Sequence, residues 1–142
     1  MKLTTRLKRW LCLRRHHSAV PTGLVPLSEL HSAIVYLDKA DDLSEPQKIR
    51  LQKFYADKGV SLSFIYADDE DLRSSSDLFI SLSSLGDINE RYAAGSSTAR
   101  FKVGRHQLKR DVYDFVVTDN SPEPRQPMEA YNVIEQFLIN IQ

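Results

Sequence analysis

The stretch Asp77-Leu-Phe-Ile-Ser-Leu-Ser-Ser-Leu-Gly-Asp87 decides the fold. Leu78 to Leu82 is a short apolar run, and Ser83, Ser84 and Gly86 are turn residues. Asp87 then stands as an N-cap with Glu90 at the capping-box position, so a helix starts there and runs to about Ala94. The passage closes on Ala99-Arg-Phe-Lys-Val-Gly-Arg105, where Phe101 to Val103 reads as a short strand or extended segment. Strand, turn, helix and short strand make half of an α/β unit.

Upstream, Ser32-Ala-Ile-Val-Tyr-Leu37 is a continuous apolar run ending at Asp38, the pattern of a strand covered on both faces. Ser44, Pro46 and Gln47 supply an N-cap, a first-turn proline and the second half of a capping box. Leu51, Phe54, Tyr55 and Lys58 share a stripe of the helix they start, and Gly59 suits its C-terminal cap. Val60 to Tyr66 is the next strand, so strand, helix and strand predict a right-handed parallel crossover. The link 67–76 is acidic and serine-rich and too short for another helical crossover, so the strand at 77–82 is expected parallel, with at most one helical turn before it.

Downstream, Tyr113-Asp-Phe-Val-Val-Thr118 reads as the fourth main strand, and Pro122, Pro124 and Pro127 fix an extended loop. In the last helix Ala130, Val133, Ile134, Phe137, Leu138 and Ile141 form one apolar face. The expected fold is α/β, a three-layer Rossmann-like sandwich with a mostly parallel, four- to five-stranded sheet. Strands fall near 33–37, 60–66, 77–82 and 113–118, and helices near 45–58, 87–94 and 127–141. Residues 1–20 form a basic arm, 21–28 a Pro/Gly linker, and 29–142 a single α/β domain.

The chain of 142 residues, 42% hydrophobic and 27% charged, is long enough for one domain with a real core. Its net charge is zero but unevenly spread. Lys2, Arg6, Lys8, Arg9, Arg14 and Arg15 all precede the first acid, Glu29. Leu3, Leu7, Trp10 and Leu11 fall near helical spacing among them, so residues 2–17 read as a short basic amphipathic helix. Two readings are open: an arm for nucleic acid or an anionic membrane surface, or a helix docked on its own domain. A protein partner is equally compatible with the composition. Cys12 is the single cysteine, so no internal disulfide forms. No apolar run approaches the ~20 residues of a spanning helix, and Arg14-Arg15-His16-His17 interrupts anything resembling a signal peptide. A cytoplasmic protein is expected.

The candidate ligand site is the turn. Ser83, Ser84 and Gly86 sit where the expected parallel strand ends and a helix begins, the edge at which open α/β sheets bind ligands. Arg100, Lys102 and Arg105 are near enough in sequence to supply counter-charge. The plain alternative is a capped turn with surface bases around it, since the chain has neither Gly-x-Gly-x-x-Gly nor a Walker sequence. Catalytic sets are absent from the pattern. Cys12 lies in the arm, and His31 and His106 stand alone. Asp38, Asp77 and Asp114 are at strand ends, the last two opposite to the first, and none has a partner at acid–base spacing. Asp68 to Asp71 lacks the alternation and glycine of a calcium loop, and His16 with His17 diverge on a helix, so no metal or cofactor is expected.

Asp77-Leu-Phe-Ile-Ser-Leu-Ser83, Ala99-Arg-Phe-Lys-Val-Gly104 and Tyr113-Asp-Phe-Val-Val117 together resemble a bacterial family of uncharacterised proteins, a domain of unknown function. The basic arm and the amphipathic last helix look like that family too. Its segment before the third strand is longer and more aromatic than the acidic 67–76 here. The family has no established activity, so this resemblance implies a fold. Leu78 to Leu82, the helix after it and Val103-Gly104 are also similar to the N-terminal half of heptosyltransferase-type glycosyltransferases. Those enzymes bind nucleotide sugar mainly in a second domain, for which this chain has no room, so again fold and not activity is implied. The functional expectation is a non-catalytic binding or interaction protein. The alternative is a domain binding a nucleotide, sugar or phosphate, or a transferase-like one, using the 83–87 turn.

Overall fold

β1 (Ser32–Leu37) has a parallel neighbour on each side. β2 (Ser61–Tyr66) pairs along its whole length from Ser32 with Ser61, and β3 (Leu78–Ser81) pairs from Ala33 with Leu78. β4 (Phe101–Gly104) and β5 (Phe115–Val116) complete an all-parallel sheet in the order β2-β1-β3-β4-β5. The computed structural model describes residues 23–117 and 125–141. The basic arm, with Cys12 and the His16–His17 pair, therefore lies outside the described residues.

Three α-helices cover the sheet: α1 (Glu45–Asp57), α2 (Ile88–Ser96) and α3 (Pro127–Asn140). The crossover through α1 steps from β1 outward to β2, and that through α2 steps the opposite way, from β3 to β4. Crossovers of one hand that run in opposite directions place their helices on opposite faces. Accordingly Leu51 and Tyr55 of α1 join Tyr131, Ile134 and Leu138 of α3 over Val35, Leu78, Ile80 and Val103. Ala93 and Ala94 of α2 pack over Ile34, Tyr36 and Phe79 on the other face. Both faces being covered explains the unbroken apolar runs of β1 and β3. This is the expected α/β class, with a sheet that is wholly rather than mostly parallel.

The caps follow the sequence closely. Ser44 and Gln47 form the full capping box of α1, Pro46 lies in its first turn, and Gly59 turns the chain away at φ +76°. The link 67–77 contains no helix, as its length required; Leu72 plugs into the α2 face with Ala67 beside it, while Asp68 to Asp71 stay exposed.

Three expectations are corrected. Of the strand expected over 113–118, Thr118 lies outside the described residues, and among those described only Phe115–Val116 is strand; the Gln107 amide accepts from Tyr113 N and donates to Tyr113 O, occupying that residue's main chain. The α3 face holds at Ala130, Ile134, Phe137, Leu138 and Ile141 and differs at its flank: Val133 is 40% exposed, and Tyr131 and Glu135 are buried. Tyr131 donates to Glu135, which also receives Arg50 of α1 at 3.1 Å, so both polar side chains are satisfied where they are buried. Finally, of the stretch read as a linker, residues 23–28 rest on the domain. Gly23 N donates to Arg100 O, and Leu27 is buried in a 3-10 turn spanning Leu27–Glu29. No helix among the described residues is long and apolar enough to cross a membrane.

Candidate functional site

In a sheet of this order the strand sequence reverses between β1 and β3, and the crevice beyond their carboxyl ends is where open α/β sheets take ligands. Here that crevice is closed by the protein's own side chains. Beyond β1 stand Asp38 and Asp41, and beyond β3 stand Ser83 and Ser84. Ser83 Oγ donates to Asp38 Oδ2 at 2.5 Å. Ser84 gives Asp41 Oδ2 both its main-chain N–H and its hydroxyl, each at 2.8 Å. Asp38 also accepts from the N–H groups of Ala40 and Asp41, so its own turn holds it in place.

Arg105, just past β4, finishes the closure. Its Nη1 reaches Asp41 Oδ1 at 3.0 Å and Leu82 O at 3.2 Å, and its Nη2 reaches Arg125 O at 2.6 Å. Arg105 is 7% exposed, Asp41 6% and Ser83 0%. A cation so buried and so fully hydrogen-bonded neutralises Asp41 and ties three strand ends together; it is not free counter-charge for a ligand. Lys102 is not surface charge either. It pairs in register with Phe79, is fully buried, and burial lowers its pKa to about 8 against the opposing pull of Asp114. Arg100 lies at the opposite edge of the sheet, where its guanidinium donates to Glu29 O. Of the residues singled out in the sequence, Ser83, Ser84 and Arg105 are thus brought together, while Lys102 and Arg100 are not. Asp77 and Asp114 occupy the far edge as expected. There Asp77 accepts from His31 N and Asp114 accepts from Lys102 N.

A second layer lies under the α2 side of the same edge. Glu90 has no exposed surface. Its Oε2 receives the Tyr113 hydroxyl at 2.5 Å, and its Oε1 receives Gly86 N at 3.1 Å. Burial lifts its pKa to about 7, against the Tyr113 hydroxyl, the Gly86 N–H and the hydroxyls of Ser81 and Ser83, which all favour the carboxylate. Tyr113 is raised well above its ordinary value by the same burial and by the neighbouring carboxyl. His106 Nε2 stands 3.9 Å from Glu90 Oε1. Burial, then the Arg105 guanidinium, lower the pKa of this half-buried imidazole, and Asp41 works the other way.

Glu90 was readable only as a capping-box residue. Asp87 does cap α2 by accepting from Glu90 N, but the Glu90 side chain goes to Gly86 and Tyr113 and not to the Asp87 N–H. The same spacing serves a solvated cap and an inward carboxyl, so the sequence held no signal to separate them.

Above this layer the surface is open. Ser84, Leu85, Gly86, Arg91, His106 and Lys109 line a shallow depression of about 390 Å³, floored by the Gly86 turn and walled by the loop after β4. Gly86 is in the left-handed region at φ +60°, and a Cβ there would stand 2.6 Å from His106 Nε2. The absence of that carbon lets the imidazole lie over the turn. Arg91 Nε is buried and has no hydrogen-bond partner among the described residues. Lys109 is exposed at the rim. No group of His, Cys, Asp and Glu that could hold a metal ion is found among the described residues.

No protein-family model matches the chain, and neither the curated proteins nor the solved structures include one with significant similarity to it.

Proposed function

We propose that the protein is a non-catalytic binding domain that takes a small phosphorylated ligand in the depression between the Gly86 turn and the loop after β4. The observation that carries this reading is the unpartnered, buried Arg91 Nε beside a pocket that also receives Lys109 and His106. A buried donor with no acceptor costs free energy unless something completes it, and an anion in the depression does so once the Arg91 guanidinium swings outward to it. The volume is that of a site for a small metabolite. The reading is non-catalytic because Ser83 is wholly buried with its hydroxyl committed to Asp38, and Asp41 is held between Ser84 and Arg105. A cytoplasmic location is part of the same proposal and rests on the single cysteine.

A thermal-shift screen tests it. Inorganic phosphate, nucleoside mono- and diphosphates and sugar phosphates should raise Tm in a saturable way, with sulfate-free chloride buffer as reference. The increase should be lost in Arg91→Gln. A flat response across the whole set would overturn the reading.

A further inference from the structure

At the opposite end of the sheet a groove of about 520 Å³ runs between the Leu27 turn and the last turn of α3. Leu27 and Leu138 form its floor, and Ile139 and Ile141 form one wall. Ile139 is 45% exposed, a large apolar side chain left in water beside an already apolar surface. We propose that the N-terminal arm, through Leu3, Leu7, Trp10 and Leu11, folds back in the same chain and occupies this groove.

Three observations select that occupant. The first is connectivity. Pro26, Leu27 and Ser28 are themselves part of the groove wall, and they are the direct continuation of the arm. Gly23 N is held on Arg100 O at 2.9 Å, which fixes the chain at the same edge of the sheet. Each residue of extended chain spans ~3.3 Å, so the residues between Trp10 and Gly23 reach the groove with slack. A tethered segment is present at an effective concentration on the order of millimolar, so weak contacts suffice.

The second is charge. α1 ends at Asp57 with Lys58 as its C-cap in the groove wall, and α3 ends at Asn140 with no base in its last turn. Helix C-termini present carbonyls of partial negative charge, which favour cations. Glu29 and Asp57 are exposed next to the groove residues Ser28 and Lys58. The arm brings six cations and no acid. The third is pattern. Four apolar side chains at helical spacing on a basic segment need an apolar surface, and this groove offers one of matching polarity.

Trp10 is the only tryptophan, so fluorescence excited at the red edge of absorption, where the six tyrosines do not absorb, reports on the arm alone. The experiment measures emission and acrylamide quenching of the full chain, with a synthetic peptide of residues 1–22 as the solvated reference. Docking predicts blue-shifted emission and severalfold weaker quenching than in the peptide. Ile139→Lys, a change at an exposed position that removes the apolar contact and adds a charge of the arm's own sign, should move both toward the peptide while the circular dichroism spectrum is retained. Leu7→Ser, which leaves the domain untouched, should do the same. Trp10 quenched in the full chain as in the peptide and unmoved by either variant would overturn the proposal. So would shielding that is lost on dilution together with a dimeric mass, since the arm would then sit on a second copy. Shielding that arises only when RNA or anionic vesicles are added would overturn it in favour of the polyanion.

Discussion

The Tyr113 hydroxyl donates to Glu90 Oε2 at 2.5 Å, joining the loop before β5 to the first turn of α2 across the floor of the candidate site. The two residues are buried together, so the proton state of one is bound to the packing of the other. Everything above them, from the Gly86 main chain to the His106 ring, rests on that pair.

The first prediction is a stability profile with a minimum between about pH 7 and pH 8. Glu90 titrates near 4.5 when unfolded and about 7 when folded, so the folded state holds the extra proton between those values. Its contribution is complete below about pH 4.5 and is lost as pH rises through about 7, a swing on the order of 3 kcal/mol. Lys102 moves the other way, from 10.5 to about 8, so stability returns as pH rises from about 8 toward 10.5. Chemical denaturation across this range should show the dip. Glu90→Gln should remove the acid limb and leave the alkaline one, and a limb unchanged in that variant would contradict the assignment.

The second prediction concerns Gly104. A Cβ there would stand 2.3 Å from the Tyr113 ring, inside any real contact. Gly104→Ala should cost about 1–3 kcal/mol as an overpacked core, and more if the ring leaves Glu90. Displacing the Tyr113 donor also removes a group that favours the Glu90 carboxylate, so the acid limb of the stability profile should extend to higher pH. Gly23→Ala, with nothing within 4 Å of the new carbon, is the control and should be silent in the same denaturation measurement.

The third prediction separates the closure of the switch-point crevice from the open depression. Asp41→Ala leaves the Arg105 guanidinium buried without its carboxylate and should destabilise by about 3–5 kcal/mol. Ser84→Ala removes one hydroxyl donor from the same carboxylate and should cost only about 1 kcal/mol. Urea unfolding of the two variants gives the ratio directly. Equal costs would mean that Arg105 is satisfied by the Leu82 and Arg125 carbonyls alone.

The readable parts of this chain were those fixed by local chemistry. β1 and β3 were plain because both faces of each are covered, and α1 was plain because Ser44, Pro46, Gln47 and Gly59 each act within a turn of their own position. What stayed hidden depends on distance in sequence. Asp41 and Arg105 are 64 residues apart, and nothing local to either points to the other. Tyr113-Asp-Phe-Val-Val reads as strand until the Gln107 amide, six residues earlier, takes the Tyr113 main chain. Val133 was placed in the α3 face because it is apolar, and Tyr131 with Glu135 was left out because their phenol and carboxyl are polar. Arg50 of α1 and the Tyr131 hydroxyl satisfy Glu135 where it is buried. The candidate site shifted for the same reason: Ser84 and Gly86 line it, but its cations are Arg91 and Lys109, not Lys102 and Arg105.

The central claim is that the depression over Gly86 binds a phosphorylated ligand through Arg91. The most direct measurement is a titration of the isotopically labelled protein with inorganic phosphate and then a nucleoside diphosphate at fixed pH and ionic strength, read at the Gly86 and Lys109 amides and the Arg91 Nε–H. The account predicts saturable shifts at these three positions, small changes at Arg100 on the opposite edge, and loss of saturation in Arg91→Gln. Shifts that are linear in ligand, or that are equal at Arg100 and Arg91, or that persist unchanged in Arg91→Gln, would contradict it.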